Sequence, residues 1–304
     1  MTRRSLCLLP FTLAAQTRRV RNLRITVLTT MLTEGSGIGE WGFAAMVEAD
    51  GRRILFDTGG RPDTLVTNCR ELKVDLTGLE DVILSHNHGD HTVGLATIAP
   101  QVAKARIHTG KGIFYSRPSG GGERNFLVSH RARLQSLNFI EHDKPVELFP
   151  GIWLTGPVPR KYPERNFSNL GKIVTPAGTV EDNVPEDSSL VFDTDQGLVV
   201  LSGCGHAGIA NTLEYARKVV RDAPVHAAIG GWHLFPLNDE RLDWTAGKMK
   251  EFGVEHFLGA HCTGIEAVYH IRQRNNMPRS KCVVGSVGSR FELGKGIQAG
   301  ALAR

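Results

Sequence analysis

The chain has 304 residues, 41% of them hydrophobic and 22% charged, a composition that supports one large core or two halves sharing one. Its net charge of +5 comes from the start of the chain, because Arg3, Arg4, Arg18, Arg19, Arg21 and Arg24 all precede the first acidic residue, Glu34. Without them 30 basic side chains face 31 acidic ones, so the body is near neutral and carries no nucleic-acid footprint.

The chain begins with Thr2, Arg3 and Arg4, a short apolar stretch, and the small pair Ala14 and Ala15. This arrangement resembles a twin-arginine export signal, so residues 1–23 are read as a removable extension and the protein as periplasmic. The alternative is a frayed extension on a cytoplasmic protein. The apolar stretch is too short to span a bilayer. Cys7, Cys69, Cys204, Cys262 and Cys282 are scattered and do not make a disulfide framework.

Residues 24–29, 43–48 and 53–56 read as strands, the last two joined by the hairpin signal Asp50-Gly51. Before the second of them, Glu34 to Trp41 is broken by glycines and forms either part of a pocket rim or a surface loop. Asp57 follows the third strand at a bend. Residues 65–72 suit a helix, and the apolar run ending at Leu84 is a strand that delivers Ser85-His86-Asn87-His88-Gly89-Asp90-His91. Residues 92–99 read as a helix whose N-terminal amides face back toward that loop. Residues 105–109 form another strand.

From 110 to 187 the pattern weakens, with Ser119-Gly120-Gly121-Gly122 and then Pro157, Pro159, Pro163, Pro176 and Pro185. So long an irregular segment is usually functional, and it is read as a cover over the site. Within it, Arg160 is a candidate for gripping a phosphate or carboxylate. Residues 189–193 and 197–202 make a second hairpin that delivers Gly203, Cys204, Gly205 and His206, followed by a helix at 209–220. A strand at 225–229, a helix at 240–252, a strand at 255–258 and a helix at 265–272 complete the alternation. Val283 and Val284 add a last strand, and the chain after Phe291, above all the tail 296–304, reads as loose.

The loop after Leu84 puts three imidazoles and a carboxylate within a few residues, and these are the donors that borderline divalent metals prefer. Alternate residues on extended chain face one way, so His86 and His88 suit one ion and Asp90 and His91, past the Gly89 bend, a second. His206 and His261 each stand at the end of an apolar strand and are candidate ligands. His233 stands similarly and is assigned to substrate contact or ligand orientation.

His-x-His-x-Asp-His after a strand resembles the signature of the metallo-β-lactamase superfamily of metal-dependent hydrolases. Further matches are Leu55-Phe56-Asp57-Thr58-Gly59, Leu201-Ser202-Gly203-Cys204-Gly205-His206-Ala207-Gly208, Gly230-Gly231-Trp232-His233-Leu234 and Gly259-Ala260-His261-Cys262-Thr263-Gly264. Together they resemble the branch that includes a dihydropterin–aminobenzene ribofuranosyl phosphate synthase. The resemblance implies an α/β fold of four layers, the αββα sandwich, over residues 24–295. It implies two divalent ions, zinc with manganese or iron as alternatives. One is held by His86, His88 and His206, the other by Asp90, His91 and His261. Asp57 would hydrogen-bond the histidine loop.

A metal-bound hydroxide would attack an ester, lactone, amide or phosphoester of a small molecule, with Asp90 also catalytic. The chain departs from the superfamily where a bridging Asp is usual and Cys204 stands instead. Cys204 then either ligates or only packs, and Asp187 is a further candidate carboxylate. A transferase of the synthase type and a non-catalytic metal-containing binding protein are the rival readings. No nucleic-acid or membrane partner is expected, and the sequence leaves the oligomeric state open.

Overall fold

The computed structural model describes residues 19–164 and 171–303. The twin-arginine stretch, with Cys7, therefore lies outside the described residues. Two mixed sheets carry the architecture. In the first, the strand order is Gly296–Gln298, Arg290–Glu292, Leu23–Thr29, Ala44–Ala49, Arg52–Phe56, Asp81–Leu84, Arg106–Gly110 and Asn138–His142. In the second it is Cys282–Val284, His256–Gly259, Val225–Gly230, Gly197–Ser202, Ser189–Thr194, Ile152–Leu154 and Val146–Phe149.

Each sheet contains a hairpin continued by parallel strands. Ala44–Ala49 pairs antiparallel with Arg52–Phe56, which runs parallel to Asp81–Leu84. Ser189–Thr194 pairs antiparallel with Gly197–Ser202, which runs parallel to Val225–Gly230. The central strands are buried on both faces, and their residues divide by parity. Ile54, Phe56, Ile83, Phe192, Val199 and Leu201 join one cluster between the sheets. Leu55, Val82 and Leu84 pack outward under the helix Thr64–Glu71. Val191, Leu198 and Val200 pack outward under the helices Ile209–Val219, Asp239–Glu251 and Ile265–Arg274. Helix, sheet, sheet and helix thus make the four-layered αββα sandwich.

Four sequence expectations are corrected. The segment 110–187 is not simply a cover, because Asn138–His142 ends the first sheet and Val146–Phe149 and Ile152–Leu154 end the second. Among the described residues, its hairpins Pro118–Ser119/Gly122–Glu123 and Lys172–Thr175/Gly178–Glu181 lie outside both sheets. The chain from Phe291 to Gln298 is built into the first sheet, since Arg290–Glu292 pairs with Leu23–Thr29, Gly296–Gln298 pairs with Arg290–Glu292, and Phe291 is buried. At the other end the domain begins before residue 24, because the Val20 amide donates to the Asp193 carbonyl and its side chain is buried. The helix expected at 92–99 is two short turns, Gly89–Thr92 and Leu95–Ile98.

Candidate metal centre

The strand ends that face one another across the two sheets supply the donors. Asp81–Leu84 leads into His86, His88, Asp90 and His91, Gly197–Ser202 into Cys204 and His206, and His256–Gly259 into His261 and Cys262. This is the carboxyl end of the parallel strands, where open α/β sheets place their sites. The two loops touch closely at Gly203, where a Cβ would overlap Ser85 Oγ and Asp57 Oδ2, so only glycine fits.

Six predicted donors converge. His86, His88 and His206 offer ligand atoms within 4.8 Å of one another, and so do Asp90, His91 and His261. The His86 and His91 rings lie 4.2 Å apart and link the two triads. His86 Nε2 stands 3.3 Å from His206 Nε2, and His88 Nε2 is buried without any hydrogen-bond partner. Burial and the surrounding rings push His86 well below the usual imidazole range, and burial chiefly lowers His88 to about 4. Neutral rings with lone pairs facing one another are the state that a cation needs.

Hydrogen bonds from outside aim these rings. Asp57, buried and at a positive φ of 56°, accepts from the Ser85 amide and the Ser85 hydroxyl, each at 2.7 Å. Its Oδ2 also lies 2.7 Å from His91 Nδ1, and Ser85 Oγ lies 2.9 Å from His86 Nδ1. With Ser85 donating to Asp57, His86 Nδ1–H donates to Ser85, and His91 Nδ1–H donates to Asp57. Both Nε2 atoms are thereby turned inward, which is how a carboxylate orients a ligating histidine. This is the place expected of Asp57.

The electrostatics of the second triad also suit a cation. Burial opposes charge on Asp90, but the His91 and His261 rings outweigh it and hold the carboxyl below the usual range. Burial likewise opposes a charged His91, yet Asp57 and Asp90 raise it to about 9. Asp90 Oδ2 lies 3.2 Å from His261 Nε2 and 3.9 Å from His91 Nε2. Two carboxylates thus create a place for positive charge.

Two sulfurs complete the centre. Cys204 Sγ lies 3.1 Å from His91 Nε2 and 3.2 Å from Cys262 Sγ, and His261 is grouped with both. Cys262 was not among the candidate ligands read from the sequence. Asp187 is buried nearby, its Oδ2 accepting from the Ala207 amide at 3.2 Å and its Oδ1 without a partner. Burial raises Asp187 to about 7.

A cavity of about 430 Å³ opens over these groups. Trp41, Phe235, His233, Arg117 and Arg124 are among its walls. Trp41 and Phe235 are half exposed and meet edge to face at 5.6 Å, so the Glu34–Trp41 stretch does reach the rim. The predicted pocket role of His233 fits its position, although its ring sits 4.7 Å from His206 and it also groups with Cys204 and His206.

Arg160 is placed differently from its expected role. Its guanidinium donates to the His206 carbonyl at 2.6 Å and to the Asn183 carbonyl at 2.5 Å, which fixes the His206 loop from behind. The arginines that reach the cavity are Arg117 and Arg124, which sequence reasoning missed. Arg117 is buried, with Nε on Asp182 and Nη2 on Glu186, and Glu186 accepts from the Asn87 side chain at 2.9 Å.

Residues 42–219 match the profile of the metallo-beta-lactamase superfamily. The chain belongs to that superfamily. It is 31% identical over 238 residues to the 7,8-dihydropterin-6-methyl-4-(beta-D-ribofuranosyl)-aminobenzene-5'-phosphate synthase of Methanocaldococcus jannaschii, a match that spans 74% of this chain and 81% of that one. Among solved structures, Tm1679, a metal-dependent hydrolase of the beta-lactamase superfamily, superposes with a TM-score of 0.73 at 26% identity over 89% of this chain and 99% of its own. A diphosphatase of the PhnP family shares the fold, with a TM-score of 0.51 at 14% identity over 90% and 98% of the two chains. The metallo-β-lactamase fold is thus established for this chain, with the His, Asp and Cys groups of a divalent-metal centre at its strand ends.

Proposed function

We propose that this protein is a metal-dependent hydrolase of a small molecule, with His86, His88 and His206 holding one divalent cation and Asp90, His91 and His261 a second. The observation that carries this reading is the buried convergence of ring nitrogens from three strand ends, with His88 Nε2 left without a hydrogen-bond partner among them. Zinc suits the neutral imidazoles, one carboxylate and adjacent sulfurs, and manganese or iron are the alternatives. When bound, such cations lower the pKa of a water from about 16 to about 7 and stabilise charge at the attacked centre.

The chain's own residues do the remainder. Asp57 and Ser85 fix the tautomers of His91 and His86, and Asp90, ionised between two rings, can accept a hydrogen bond at Oδ2 and so orient a nucleophile's proton. Trp41 and Phe235 offer apolar wall to a substrate, and Arg124 lines the cavity beside the Arg117–Asp182 ion pair. An ester, lactone, amide or phosphoester is the bond class this arrangement serves.

The second reading is transfer rather than hydrolysis, favoured by the name of the archaeal relative and by Arg124 in the cavity. There a pyrophosphate would leave and an arylamine would attack in place of water. Product analysis of metal-replete protein decides between them. Turnover of a lactone, ester or phosphoester panel supports hydrolysis, whereas coupling of a dihydropterin pyrophosphate to an aminobenzene acceptor supports transfer. Inertness toward both would leave a non-catalytic binding protein. We further propose export by the twin-arginine route, which a native protein still beginning at Met1 would refute.

A further inference from the structure

Cys204 and Cys262 stand on loops after Gly197–Ser202 and His256–Gly259, the two strands that flank Val225–Gly230. Their Sγ atoms are 3.2 Å apart, inside van der Waals contact, and both residues are free thiols. The His233 amide points at Cys262 Sγ from 3.2 Å, a donor that favours thiolate character. Although each residue is almost fully buried, both border the cavity, so a small oxidant can reach them. The other described cysteines, Cys69 and Cys282, are buried away from the centre, in the cores under the outer helices.

We propose that Cys204 and Cys262 are a dithiol modification site, closing to a disulfide when the cation centre is empty and kept as thiols when it is filled. A disulfide needs its sulfurs at about 2.0 Å, so the pair has to close by only about 1 Å. The oxidant class is a hydroperoxide. One thiolate attacks the terminal peroxide oxygen, releasing an alcohol and leaving a sulfenic acid. The second sulfur displaces that oxygen as water, so two thiols and one hydroperoxide give one disulfide, one alcohol and one water.

The protection follows from geometry. Cys204 Sγ and Cys262 Sγ belong to one donor group with His261, and Cys204 Sγ is 3.1 Å from His91 Nε2, so a cation held by His91 and His261 sits against the sulfurs and competes for the lone pairs that the oxidation uses. The protection rests on the proposed cation centre, whereas the pairing of the two sulfurs does not.

The test is tert-butyl hydroperoxide treatment of chelator-stripped full-length protein carrying Cys69→Ser and Cys282→Ser, followed by thiol counting and mass mapping of linked peptides. A Cys204–Cys262 link with loss of two thiols is expected, and saturating zinc should slow it at least tenfold. Cys204→Ser and Cys262→Ser should each abolish it. Should the double-serine background fail to fold, peptide mapping of the wild-type chain gives the same answer. No link in stripped protein overturns the pairing and leaves the cation reading standing. Equal linking with and without bound zinc overturns the protection. A protein that links yet binds no zinc at all keeps the dithiol and sinks the cation centre instead.

Discussion

Two groups of histidines in this molecule look alike by proximity and differ in chemistry. At the edge of the first sheet, His108 and His142 stack at 5.3 Å, with His108 Nε2 3.0 Å from Asp81 Oδ1 and Nδ1 3.0 Å from His142 Nε2. Arg106 completes the group by donating to both oxygens of Asp81. Each buried polar atom there has a partner, so the cluster is finished. At the centre, where the His86 and His91 rings lie 4.2 Å apart, His86 Nε2 faces His206 Nε2 and His88 Nε2 has no hydrogen-bond partner. Proximity of imidazoles therefore does not identify a metal site; lone pairs left over after the protein has satisfied its own groups do.

That contrast can be broken at several points. Replacing His88 with Ala should reduce bound zinc and lower activity by more than the roughly 100-fold typical of lost outer partners, and full zinc stoichiometry in the variant would contradict its assignment. Arg117→Met strikes a finished cluster, leaving Asp182 and Glu186 buried without their cation. It should cost about 3–5 kcal/mol in urea unfolding, and a loss under 1 kcal/mol would show that the network is not as closed as described.

Asp57→Asn removes the acceptor that aims His91 while sparing every proposed ligand. Its cation affinity should fall about 10- to 100-fold by competition with a chelating dye, and unchanged affinity would deny Asp57 its orienting role. His108→Ala is the mildest, about 1 kcal/mol of stability with zinc content and turnover unaltered. Loss of metal from that variant would erase the distinction between the two clusters.

How much was readable beforehand follows the same logic. His86 to His91 could be found because the donors are contiguous and follow an apolar strand. His206 and His261 shared the second cue, a strand end, and the structure brings all of them together. Arg117 was hidden because its burial depends on Asp182, 65 residues further along, while its neighbours look like surface loop. Arg160 was misread for the complementary reason, since a guanidinium that clamps a backbone carbonyl has no sequence mark. The strands Arg290–Glu292 and Gly296–Gln298 are too short to show a period, and their order comes from the first pairing with Leu23–Thr29, at the opposite end of the chain, and the second with the first. Asn138–His142 was lost inside the supposed cover because, at a sheet edge, its residues are only half buried and do not alternate cleanly.

The donors come from both sheets, His86 and His88 from the strand end of one and His206 and His261 from strand ends of the other. An ion held there is a rivet through both sheets of the sandwich. Its binding free energy then counts toward the folding of the whole domain, about 2.7 kcal/mol at a free concentration one hundred times the dissociation constant. The lifetime of the folded chain in a cell would accordingly track the local supply of zinc, and starvation for the ion would be felt first as proteolysis.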